Sequence, residues 1–176
     1  MTTSTDSIAG GTTGADARLP GEAWPPESGA GRADLDPVII GVIEFFESIS
    51  PESVLQIADL YSADAWFKDP FNEVRGTPAI EAIFAAMFTQ VDQPRFRVRQ
   101  AIGDSERACL LWDFEFHLRR FDRSRLQCIR GASWLEFDAQ GRIACHRDYW
   151  DAAEELYEKL PLVGSLMRWL KRQAAH

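Results

Sequence analysis

The stretch from Ala108 to Leu118 limits the fold more than any other. Ala108, Leu110, Trp112, Phe114, Phe116 and Leu118 alternate with Cys109, Leu111, Asp113, Glu115 and His117. A period of two marks a strand with one buried face. A strand so apolar on one side must lay that side on a core shared with other elements. Its neighbours supply them: Arg95-Phe96-Arg97-Val98-Arg99 alternates, and further strands run from about Leu126 to Phe137 and from Arg142 to Trp150. Asp138-Ala139-Gln140-Gly141 joins the last two as a hairpin turn, with Gly141 supplying the permissive backbone. With the apolar face inward, Asp113, Glu115 and His117 lie outside, against water or a partner subunit. A register slip of one residue would turn them inward instead, and the alternation alone leaves that parity open.

Before Asp92 the period is helical. Asp36-Pro37 is an acid N-cap followed by a first-turn proline. It opens a helix with Val38, Val42, Phe45 and Ile49 on one face and Ile39, Ile43 and Phe46 beside them. Ser50-Pro51-Glu52 opens a short second helix through about Asp59. Thr77-Pro78 caps a third, from Ala79 to about Gln90, with Ile80, Ile83, Phe84, Met87 and Phe88 on its buried face. Between these lies a strand, Asp64 to Asp69. Phe67 and Asp69 point one way along it, Trp66 and Lys68 the other. Pro70 holds Asp69 extended, which leaves a carboxylate at a strand end beside apolar rings. The order is helices, one strand, a helix, four consecutive antiparallel strands and a terminal helix. That is an α+β fold, with helices on one face of a curved sheet.

A chain of 176 residues is one domain with a core of its own. Residues 1–33, rich in Gly, Ser, Thr, Ala and Pro, read as a disordered tail; 34–151 form the domain and 152–176 an amphipathic helical extension. Net charge of −8, with no basic stripe before the C-terminus, argues against a nucleic-acid partner. The three cysteines, Cys109, Cys128 and Cys145, sit in apolar runs and read as reduced, buried thiols of a cytoplasmic protein. No apolar run approaches the ~20 residues of a membrane span, and the N-terminus lacks the pattern of a signal peptide. His146-x-Asp148 offers too few ligands for a metal, and no cofactor motif is visible. The C-terminal end, with Leu156, Leu160, Leu166 and Leu170 beside Arg168, Lys171 and Arg172, reads two ways. It packs over a pocket mouth or partner subunit, or it lies on a membrane surface; the small basic cluster favours packing.

Phe67-Lys68-Asp69-Pro70-Phe71, with Gly76 following, and the order of elements resemble the nuclear transport factor 2-like (NTF2-like) superfamily. That group includes SnoaL-type polyketide cyclases, ketosteroid isomerases and limonene-epoxide hydrolases, and the resemblance spans about residues 36 to 151. It implies a cone whose concave sheet and helices enclose a pocket, and a homodimer formed through the sheet. The implied ligand is an apolar terpenoid, steroid, polyketide or lipid-like molecule. The implied wall is Phe45, Phe67, Phe84, Phe88, Trp112, Phe114, Ser133, Leu135 and Trp150, and the family register turns His146, Asp148 and Trp150 inward.

Asp69 falls where ketosteroid isomerases keep their general base. Their two oxyanion donors correspond to Phe45 and Ser133, and a phenyl ring cannot donate a hydrogen bond. Arg147-Asp148-Tyr149-Trp150-Asp151 resembles a run in limonene-epoxide hydrolases, with Asp148 matching an aspartate of the water-activating network. The tyrosine and asparagine of that network correspond to Phe67 and Asp69, so the set is incomplete. What remains as a catalytic set is Asp69, His146 and Asp148, two carboxylates and an imidazole able to hold a proton near neutrality. The expected activity is an acid–base isomerase, cyclase or hydratase/hydrolase in which Asp69 takes a proton or orients water and His146 and Asp148 return or relay it. The alternative is a non-catalytic ligand-binding or dimerisation module in which the same groups only fix the fold.

Overall fold

The computed structural model describes residues 32–119 and 125–152; the C-terminal helix and nearly all of the tail expected above lie outside them. Capping chemistry sets the helix starts. Asp36 Oδ1 accepts the Val38 N–H at 2.9 Å and opens α1 (Pro37–Glu47), which buries Ile39, Val42, Ile43 and Phe46. The buried stripe is therefore rotated away from the Val38–Phe45 line. The second helix is two single turns, α2 (Pro51–Val54) and α3 (Ile57–Leu60), the first closed by a reciprocal capping box between Ser50 and Ser53. Helix α4 (Thr77–Gln90) is capped by Gly76 rather than Thr77, at a φ of 89° that glycine adopts without steric cost.

Six strands follow the order β2-β1-β6-β5-β4-β3. They are β1 (Tyr61–Lys68), β2 (Glu73–Arg75), β3 (Val91–Gly103), β4 (Arg107–Leu118), β5 (Leu126–Phe137) and β6 (Ile143–Tyr149). Two features go beyond the sequence reading. The chain turns after Asp69-Pro70 and pairs β2 back along β1, where the Glu73 carboxylate meets both Lys68 Nζ and Trp66 Nε1. And β1 runs parallel to β6, Phe67 opposite His146 and Lys68 opposite Arg147, while every other pairing is antiparallel. Register shifts in β1, β3 and between β5 and β6 bend the sheet. The hairpin turn forms as expected, with Gly141 at φ 74° and Asp138 Oδ1 accepting the N–H groups of Gln140 and Arg142.

The even-numbered side of β4 faces the core, which settles the parity. Ala108, Leu110, Trp112 and Phe116 are buried together with Phe46, Phe67, Ile80, Phe84 and Leu135. Each such aliphatic or phenyl side chain contributes about 1.5–3 kcal/mol of burial. Asp113, on the outer side, is buried as well, because the Arg99 guanidinium covers it at 2.6 Å. The three cysteines also lie on that outer side, free and half-buried rather than fully buried. Partial burial still pushes the thiols of Cys109 and Cys145 up and keeps them protonated.

Candidate active site

The parallel pairing of β1 with β6 creates the polar centre of the cup. His146 is 3% exposed, between the edges of Phe46 and Phe67 and stacked with Tyr61. Its Nδ1 lies 2.5 Å from the Tyr61 hydroxyl, and its Nε2 lies 2.9 Å from Asp148 Oδ1 and 3.3 Å from Ser133 Oγ. Ser133 stands opposite Asp148 in the β5–β6 register and is 2.5 Å from the same oxygen. Trp112 Nε1 reaches Ser133 Oγ at 2.8 Å. That indole can lie where it does because residue 131 is glycine: a Cβ there would come within 2.3 Å of Trp112 Cη2.

Donor and acceptor rules fix the protons of this chain. An indole N–H only donates, so Ser133 Oγ accepts from Trp112 and its own proton goes to Asp148. The Tyr61 hydroxyl is fully buried with His146 Nδ1 as its partner, so it donates there. Burial, and then the negative charge of Asp148, hold the Tyr61 phenol well above its ordinary value and keep it a donor. Nδ1 is therefore the acceptor, and Nε2–H points at Asp148. Asp148 is left as a carboxylate with two bonds on Oδ1 and no hydrogen bond on Oδ2 among the described residues.

Asp148 lines two inner cavities and an outer groove. A recess of about 20 Å³, lined by Ser133, Leu135, His146 and Asp148 under Phe46 and Trp112, has room for one water molecule. A larger cavity of about 480 Å³ is walled by Phe67, Phe84, Phe96, Trp112, Phe114 and Trp150, among others, and lined by both Asp69 and Asp148. Of the expected wall, Phe45 and Phe88 line neither cavity. The rotation of α1 turns Phe45 edge-on to Phe46, and Phe88 packs at the margin of the core.

Asp69 is a turn residue first. Its Oδ1 accepts the N–H groups of Phe71 and Asn72 at 2.7 and 2.6 Å, and the Asn72 amide bonds both of its oxygens. It shares the larger cavity with Asp148 but makes no hydrogen bond to Asp148 or His146. The structure thus joins His146 to Asp148, sets Asp69 apart at the rim, and adds Tyr61 and the Trp112 N–H. Sequence reasoning missed Tyr61 by starting the strand at Asp64, and the register shift between Tyr61 and Trp66 leaves no parity signal that would have found it. Among the described residues no group of three or more His, Cys, Asp or Glu is placed to hold a metal, and no helix is long and apolar enough to cross a membrane.

A family model described as a SnoaL-like domain matches residues 42–146. No curated protein matches the chain in sequence. Similar solved structures include a hypothetical protein of ketosteroid isomerase-like fold from Catenulispora acidiphila, in complex with trimethylamine. It has a TM-score of 0.59 at 13% identity, over 69% of this chain and 91% of that one. A putative SnoaL-like polyketide cyclase from Shewanella putrefaciens gives 0.58 at 13% identity, over 72% and 89%. An epoxide hydrolase of the limonene-epoxide hydrolase-like type from M. tuberculosis gives 0.55 at 13% identity, over 76% and 89%. Likeness at this identity speaks for the fold alone.

Proposed function

On the premise that the chain belongs to the SnoaL-like domain family, within the NTF2-like fold, we propose that it is a small-molecule pocket enzyme with Asp148 as general base. The divided carboxylate supports this reading. Oδ1 is held by Ser133 and His146, while Oδ2, on a side chain that lines the cavity, has no partner among the described residues. Oδ2 takes a proton either from a carbon acid of the ligand, as in an isomerase or cyclase, or from a water in the recess, as in a hydratase or hydrolase. His146 and Tyr61 are positioning residues: their hydrogen bonds aim the carboxylate and leave its second oxygen for chemistry. The aromatic wall suits an apolar terpenoid, steroid, polyketide or lipid-like body.

A second reading, ligand binding without turnover, is favoured by one observation. Ser133, standing where ketosteroid isomerases carry an oxyanion donor, already donates its proton to Asp148. Native mass spectrometry of protein purified from its source identifies a retained ligand, whose conversion is then followed with wild type and Asp148→Asn. The expected loss in the variant is about 100-fold or more. A ligand left unchanged by both proteins overturns catalysis and leaves the binding module. We also infer a cytoplasmic homodimer. The free cysteines support the compartment, and the exposed Leu126, Trp134 and Tyr149 on the outer sheet face support the contact.

A further inference from the structure

We infer that the ligand of this cavity is an organic cation, a protonated amine or quaternary ammonium group on an apolar body. The inference rests on the larger cavity being the ligand site; it does not depend on Asp148 acting as a base. Two carboxylates, Asp69 and Asp148, line that cavity, and no Lys, Arg or His does so among the described residues. Among the described residues, every hydrogen bond these carboxylates receive comes from a neutral donor: Ser133, the Nε2–H of His146, two backbone N–H groups and the Asn72 amide. On the outer side, Lys68 and Arg147 share a groove of about 500 Å³ with the two acids. Lys68 is paired with Glu73, and Arg147 lies 4.6 Å over the Tyr149 ring. On the cavity side neither carboxylate meets a counter-charge from the described residues, and a partly buried carboxylate without one is costly, so the cavity favours the entry of a positive group.

The walls point the same way. Phe71 and Trp150 stand edge to face at 5.3 Å beside the two acids, with Phe71 half exposed at the rim. Phe96 and Phe114 stack at 4.4 Å further in. Ring faces attract ammonium groups, and attract them more strongly where water is excluded. An anionic ligand would meet two like charges, and the Asn72 amide donors that could receive it are already bonded to Asp69. A neutral ligand would bring no counter-charge to either acid. The net charge of −8 draws cations to the molecule as a whole.

Three probes of matched shape test this on the full chain by quenching of tryptophan fluorescence: benzyltrimethylammonium, its uncharged isostere neopentylbenzene, and phenylacetate. The cation is expected to bind at least ten-fold tighter than the isostere, with phenylacetate not competing. Asp69→Asn, which keeps the Oδ1 acceptor of the two turn N–H groups, is expected to weaken the cation several-fold and leave the isostere unchanged; Asp148→Asn should do the same. An isostere that binds as tightly as the cation overturns the inference and leaves the apolar-pocket reading standing. Failure of all three probes to bind at millimolar concentration overturns both.

Discussion

Replacing Tyr61 with phenylalanine removes one oxygen from a site with 0% exposure. The ring, its packing and its stacking on His146 stay, so the change isolates the hydroxyl. His146 Nδ1 loses its donor at 2.5 Å and becomes a buried acceptor with no partner. Such a group costs about 1–3 kcal/mol, which for a chain of this size lowers Tm by about 2 to 12 °C. The pH dependence carries a sign. The Tyr61 phenol titrates higher folded than unfolded. Above the ordinary phenol value of about 10, the unfolded chain therefore holds fewer protons than the native one, and native stability falls as pH rises. Tyr61→Phe lacks that loss, so its Tm deficit is greatest at neutral pH and narrows as pH rises past about 10. Scanning calorimetry from neutral to alkaline pH measures both effects, and nitrogen NMR of labelled histidine reads which ring nitrogen of His146 carries the proton. Unchanged Tm at neutral pH, or a wild-type His146 that carries its proton on Nδ1, would refute the proton assignment on which the role of Asp148 rests.

Two further outcomes follow from the geometry. Gly131→Ala drives a methyl into the Trp112 ring, which must swing away and break its 2.8 Å bond to Ser133; the expected loss is about 1–3 kcal/mol by urea titration, with a shifted tryptophan emission, and an unshifted spectrum counts against it. On the outer face, Trp134→Glu combined with Tyr149→Glu converts a dimer to a monomer in sedimentation without unfolding it; wild type that sediments as a monomer at every concentration removes the proposed contact.

Two helix starts and the hairpin turn were legible because they are local chemistry: Asp36, Ser50 and Asp138 each act within four residues of themselves. Residues on one strand face were legible through their period, which is how His146 and Asp148 were paired. Non-local pairing was not. Three residues, Glu73-Val74-Arg75, are too few to show alternation, and nothing near Phe67 announces a parallel partner in β6. Tyr61 was hidden twice, since α3 ends at Leu60 and a register shift between Tyr61 and Trp66 interrupts the alternation. Phe45 was misplaced by carrying a family register through helices whose rotation the sequence does not specify. Asp69 was read as a carboxylate held out by Pro70, whereas the following Phe71-Asn72 backbone folds over it as an Asx turn.

The Tyr61–His146 contact joins positions 85 residues apart, and its second half arrives on the final strand of the sheet. Long closures of this kind form late. A nascent or truncated chain that stops short of Ile143 would carry the helices and most of the sheet, yet its buried phenol would have no acceptor and β1 would be an open edge. Competence to hold a ligand therefore reports on completed folding, and any compound that binds there is expected to act on the molecule as a latch, tightening the last join to form.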